Sequence, residues 1–369
     1  MKRLCLIYGT RPEAVKFASL IEEVKQDPDI DAVIINTGQH KSMVKQVHDF
    51  FEITPDVELD IFKPGQPIAN ILASAVEKLQ DYFNKSEKFD AVVVQGDTTT
   101  TIAAGIAAFY NNIPVVHLEA GMRSGNLWSP FPEEANRKML THITSLHLAP
   151  SHEGVNNLLK EGISDKDIIL TGSTAIDAAR IVSESSKKEI PYVKEIEGKK
   201  LLLVTTHRRE NLGENLESIV AAIKETAKTH DDIVFVVPMH KNPEVRKPYY
   251  KYLENLDNVI LSEPLDYISF TTIMQEAFIV LTDSGGVQEE APYFHIPVLL
   301  LRDDTERPEA VTAGAIKLIG SDTQKIVDNI NLLLTDPKEY NQMAHAVYNE
   351  ESDGYAAKKS LKAIKEMLK

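Results

Sequence analysis

The chain has 369 residues, 55 acidic and 40 basic, giving a formal net charge of -15, and this average field repels nucleic acid and anionic membranes. The length exceeds what one hydrophobic core usually serves, so two domains are expected. A single cysteine, Cys5, excludes a disulfide framework, and no apolar run approaches the roughly 20 residues of a bilayer span, so a soluble cytoplasmic protein is the expectation.

The N-terminus reads as a strand and not as a leader: RLCLIYGT is apolar and runs into GTRPEAVK, residues 9–16. Gly9 and Thr10 turn the chain, and Pro12 suits a first helical position. Arg11 and Lys16 then stand near a helix N-terminus, a cationic setting for an anion. The bland alternative is two solvated cations on a helix surface. DAVIINTG follows as a strand, then HKSMVKQVHDFF as a helix. FDAVVVQGD places Asp97 at the end of a strongly apolar strand, where an Asp is often only a helix N-cap. IPVVHLEA puts Glu119 at the next strand end, and SPFPEEANRK sets Glu133 and Glu134 in a first helical turn, with Arg137 one turn later. Each acid alone is weak evidence. Carboxylates at neighbouring strand ends of one sheet are stronger, because like charges raise a pKa as acid–base work requires.

SLHLAP and DIILTG continue the rhythm, which pauses over the polar residues 181–200. It restarts with KLLLVTTHRRE, DIVFVVPMH, NVILSEP, AFIVLTDSG and IPVLLLRDD. Apolar runs alternating with helical patterns predict two doubly wound Rossmann-like α/β domains, residues 1–170 and 171–354, with a last helix over 355–369 packing back on the first. Ligands of such sheets bind beyond the carboxyl ends of the strands. There the second half carries His207, Arg208 and Arg209 after one strand and His240 after the next. In TDSGGVQEEAP, Ser284, Gly285 and Gly286 offer backbone N–H groups to a phosphate, and Glu290 suits the two hydroxyls of a ribose. Arg307, in RDDTERPEA, is a further phosphate candidate. No dinucleotide fingerprint, P-loop, nucleophile elbow or zinc-protease motif occurs, so a nucleotide held by arginines and backbone dipoles, without a metal, is expected.

Taken together, GTRPEAVK, GQH, GDTTTT, EAGMRSG, SPFPEEANR, TGSTAIDA, HRRENLGE, DSGGVQEEAP and TERPEAVTAG resemble the non-hydrolysing UDP-N-acetylglucosamine 2-epimerase family, in the family's order and along nearly the whole chain. The resemblance implies a GT-B glycosyltransferase-like pair of domains facing a central cleft. It also implies a homodimer, no cofactor, and interconversion of UDP-N-acetylglucosamine with UDP-N-acetylmannosamine through UDP elimination and readdition. Carried over by motif, the catalytic residues are Asp97, Glu119, Glu133 and His207. Substrate contacts come from Arg11, Lys16, Gln39, His40, Arg137, Arg208, His240, Ser284, Gly285, Gly286, Glu290 and Arg307, with Phe270 near the base. The chain departs from the family at Gln95, where many members have histidine, and at Ser42 and Gly65, where some carry a larger residue involved in activation by substrate. The competing readings are a hydrolysing relative, a glycosyltransferase of the same fold, and a catalytically silent nucleotide-sugar sensor.

Overall fold

Leu4–Tyr8 and Ala91–Gln95 are buried at every position. A strand with no exposed side needs cover on both faces, which helices of a parallel sheet supply. The computed structural model describes all residues except His40, Pro64, Glu306, Tyr348 and Glu350, and leaves aside the side chains of residues 41–43. The described residues form two compact units, Met1–Ile181 with Glu350–Lys369, and Val182–Asn349.

The first unit contains β1 (Lys2–Tyr8), β2 (Ile30–Asn36), β3 (Val57–Glu58), β4 (Ala91–Gln95), β5 (Val115–Leu118), β6 (Leu146–Ala149) and β7 (Ile168–Leu170). They pair in the order β3-β2-β1-β4-β5-β6-β7, parallel throughout. The second contains β8 (Lys200–Thr205), β9 (Ile233–Pro238), β10 (Val259–Ser262), β11 (Ala277–Thr282), β12 (Val298–Leu300) and β13 (Ile316–Leu318). Their order is β10-β9-β8-β11-β12-β13, again parallel. In each sheet the order reverses once, between β1 and β4 and between β8 and β11. The loops leaving those four strands are where an open α/β sheet holds its ligand.

The first unit extends to Ile181, within the helix Thr174–Glu184, because that helix is tied to the last segment of the chain. Asp177, only 1% exposed, accepts hydrogen bonds from the amides of Ala356 (2.9 Å) and Ala357 (2.7 Å), capping the last helix, Ala356–Met367. Arg180 donates to the Gly354 carbonyl and lies over the Tyr355 ring. That last helix packs on Arg11–Gln26, burying Leu361 and Ile364, and Lys365 bridges Asp27 and Asp29. Among the described residues no helix is long and apolar enough to cross a membrane.

Asp177→Ala strips two helix-terminal amides of their acceptor. The expected cost is about 1–2 kcal/mol. Hydrogen exchange should quicken over residues 356–367 and stay unchanged in the strands of the second unit; unaltered exchange over 356–367 contradicts the capping role.

Candidate active site

Gly9 directly follows β1 and packs against the loop that leaves β2 and the helix that follows β4, where any Cβ would overlap the hydroxyls of Thr37 and Thr100. Those hydroxyls bond each other, and Thr100 also donates to Gln39 Oε1 at 2.8 Å, which places Gln39 at this strand end. His40 lies outside the described residues. Below them Glu13 is buried and accepts from the amide of Thr10 (2.8 Å) and the hydroxyls of Thr98 (2.8 Å) and Thr101 (3.0 Å). One carboxylate thus ties the β1 loop to the β4 loop. Burial pushes its carboxyl up, and the hydrogen bonds oppose that shift.

The cap of the helix Thr99–Tyr110 is Thr98, whose Oγ1 accepts from the Thr101 amide. Asp97 is therefore not consumed as an N-cap. Its backbone carbonyl is fixed by Asn136 Nδ2 (2.9 Å), and its carboxylate meets Arg137 at 2.9 Å. Burial is the largest influence and raises the Asp97 pKa; Glu119 and Glu133 add to the rise, while Arg137 and Lys16 oppose it. Glu119, at φ 64°, sits in the left-handed region that a non-glycine residue rarely occupies, and its carboxylate receives both the Lys16 ammonium and the Gln95 amide. Glu133 is half-buried at the start of the helix Glu133–Thr141. Its neighbour Glu134 is buried, accepts from the amides of Ser124 and Gly125, and lies 3.5 Å from Arg137 Nε. Asp97, Glu119, Glu133, Lys16 and Arg137 form one cluster. Arg11 is half-buried at the first position of its helix, with no ion-pair partner among the described residues.

In the second unit the switch point is organised by Asp283, which directly follows β11 and is fully buried. It accepts from the amides of His207 (3.0 Å) and Arg208 (3.0 Å) and from Asn211 Nδ2 (3.0 Å), and its Oδ1 lies 3.0 Å from His207 Nδ1. His207 and His240 face each other with ring centroids 6.2 Å apart. Arg208 donates through Nε to the Asp283 carbonyl. Gly285 and Gly286 do not use positive φ; Gly286 is at -65°. What Gly285 provides is room, since a Cβ there would meet Arg307 Nη1 at 3.2 Å and Arg208 Nη2 at 3.8 Å. Two guanidinium groups therefore converge over bare backbone. The Ser284 amide is already donated to Thr282 Oγ1, whereas those of Gly285 and Gly286 have no partner among the described residues. Arg307 is held by Glu289, Nε to Oε1 at 2.8 Å. Glu290 is buried, its Oε1 3.9 Å from where a Gly286 Cβ would stand, and it helps burial to raise the Tyr267 phenol. Phe270 is half-buried against this unit's core.

Sequence reasoning did not single out Glu13, Asp283 and Glu289, which hold other groups in place, and it placed Glu134 only as an acid of a first helical turn. Among the described residues no group of three His, Cys, Asp or Glu could hold a metal ion.

The sequence model described as UDP-N-acetylglucosamine 2-epimerase matches residues 22–366. The UDP-N-acetylglucosamine 2-epimerase of Bacillus subtilis (strain 168) is 45% identical over 366 residues, spanning 99% of this chain and 96% of that relative. A crystal structure of UDP-GlcNAc 2-epimerase from Neisseria meningitidis bound to UDP-GlcNAc matches with a TM-score of 0.87 at 43% identity, over 99% of this chain and 100% of that one. MurG of Acinetobacter baumannii, 13% identical, matches over the full length of both chains with a TM-score of 0.60, which shows a shared GT-B type fold alone.

Behind the carboxylate cluster, on β5 and β6, His117 and His147 are paired in register and buried. Burial lowers their pKa values, His117 to about 3 and His147 to about 4, both below the unfolded value of about 6.5. Below pH 6.5 the unfolded chain takes up protons that the folded chain refuses, so their contribution to stability is present above that pH and declines as pH falls toward 4. His147→Leu should flatten this acid limb, seen as a smaller drop in urea midpoint between pH 7.5 and 5 than in the parent protein; an equal drop contradicts it.

Proposed function

The chain belongs to the UDP-N-acetylglucosamine 2-epimerase family, and we propose that it reversibly inverts C2 of UDP-N-acetylglucosamine to give UDP-N-acetylmannosamine, without net hydrolysis. The observation that carries the reading is the Asp97 cluster: a half-buried carboxyl of raised pKa beside two further carboxylates and two cations. Such a set holds groups that can accept a proton and groups that can deliver one.

The chemistry explains why this inventory suits the reaction. The sugar C2–H has no conjugated carbonyl, so simple removal and return of the proton is too costly. When a base takes that proton, the C2–H electrons form C1=C2 and the C1–O pair leaves with UDP, giving 2-acetamidoglucal. Protonation of C2 on the opposite face, with return of the UDP oxygen to C1, completes the inversion. The two faces require separate proton-transfer groups, and Asp97, Glu119, Glu133 and His207 are the proposed set. Negative charge develops on the departing diphosphate, where Arg208, Arg307 and the Gly285 and Gly286 amides supply donors. We assign Arg11, Lys16, Arg137, Gln39, His40 and His240 to the remaining substrate contacts, Glu290 to the ribose, Phe270 to the base, and Ser284 to the phosphate loop. The same reading carries a cytoplasmic homodimer, the compartment that also keeps the buried Cys5 thiol reduced.

Proton NMR of the protein with UDP-N-acetylglucosamine in heavy water tests this reading. The expected product is UDP-N-acetylmannosamine carrying deuterium at C2. Free N-acetylmannosamine with UDP makes the enzyme a hydrolase, and an unchanged substrate leaves only a binding role. Asp97→Asn and His207→Asn should each lower kcat roughly 10²- to 10⁴-fold. UDP affinity by calorimetry should survive the Asp97→Asn change; full turnover in either variant contradicts its assignment.

A further inference from the structure

We propose that Asp283 is a positioning residue that locks the His207 ring with Nδ1 protonated, so that Nε2 is the atom His207 presents for proton transfer. The inference rests on the proposed role of His207 and adds the group that sets its tautomer.

Two observations carry it. Asp283 Oδ1 lies 3.0 Å from His207 Nδ1, and the carboxylate is wholly buried while the imidazole is 42% exposed. The ring is thus anchored from beneath by one nitrogen and free at its outer edge, where Nε2 has no partner among the described residues. The second observation is that the carboxylate is otherwise surrounded by donors: the amides of His207 and Arg208 and the Asn211 side-chain amide. Burial alone would raise its pKa, but the hydrogen bond and charge of His207 and the donors around it outweigh burial and hold Asp283 below the usual carboxylate range. An ionised carboxylate can only accept, so the hydrogen between Asp283 and the ring belongs to Nδ1. In the neutral ring Nε2 then carries a lone pair and accepts a proton; in the charged ring it carries the hydrogen and donates. The amide bonds also fix the backbone from which both His207 and Arg208 project, so a single side chain sets the place and the tautomer together. Loop anchoring alone would need only those amides, and the ring contact would then have no consequence for turnover.

The test uses full-length protein with ¹⁵N-labelled histidine. Long-range ¹H–¹⁵N spectra above pH 8, with the His207 signals assigned by their loss in His207→Asn, should show a protonated Nδ1 and a bare Nε2. The opposite tautomer overturns the proposal whether or not the protein proves to be an epimerase, so its failure is separable from failure of the functional reading. In Asp283→Asn the Nδ1 tautomer should lose its dominance. kcat should then fall about 10- to 1,000-fold, while KM and UDP affinity change less than about threefold. A folded Asp283→Asn with kcat within about threefold of the parent also overturns it. If that variant does not fold, the tautomer of the parent protein decides alone.

Discussion

A carboxylate buried at the point where each sheet reverses its strand order is the constraint on which the functional surfaces depend. Glu13 joins the loops after β1 and β4, and Asp283 joins those after β8 and β11. Strands diverge at such a point, leaving loop amides and hydroxyls with no ladder partner, and a buried donor left unpaired costs about 1–3 kcal/mol. One acid accepting from several donors removes that cost and fixes the loops at once. Arg11, Lys16 and Asp97 in the first unit, and His207, Arg208 and the Ser284–Gly286 backbone in the second, inherit their positions from these two side chains.

The charge pattern follows a second rule. A chain with a net charge of -15 cannot attract a nucleotide sugar by its average field, so its cations must be placed locally. Three of the proposed ligand-binding cations are each held by a carboxylate: Lys16 by Glu119, Arg137 by Asp97, and Arg307 by Glu289. A side chain already oriented gives up less rotamer freedom when a diphosphate arrives. The same pairing serves the acids, because Asp97 needs burial to raise its pKa and Arg137 and Lys16 to keep a proton transferable.

Most of the fold was legible because strands buried on both faces read as unbroken apolar runs. β3 and β13 were not, being two and three residues long with Glu58 or Lys317 among them. The functional surface was legible as polar residues at strand ends, and Asp97, Glu119, His207 and Arg208 stand where that rule put them. What sequence could not distinguish is an acid that faces a ligand from one that faces its own loop. Asp283 sits inside the motif TDSGG and Glu13 inside GTRPE, yet both point into the fold. Glu133 and Glu134 are adjacent and diverge for the same reason, since successive positions on a helix lie on different sides. The glycines show the limit in another way: TDSGG was read as backbone N–H groups for a phosphate, and what sequence did not show is that Gly285, at ordinary φ, also clears space for two arginines. Gln39 and Phe270 came only from resemblance to a family, because nothing in their spacing singled them out.

The elimination route makes one claim that no feature of the products reveals: the bond between C1 and the bridging oxygen breaks and reforms in every turnover. UDP-N-acetylglucosamine carrying ¹⁸O in that bridge tests it, with ³¹P NMR following the label during epimerisation. A freed β-phosphate can rotate before it returns, so the account predicts that label moves from the bridge to the non-bridging positions of recovered substrate and product. Inversion at C2 with the label still wholly in the bridge would contradict it.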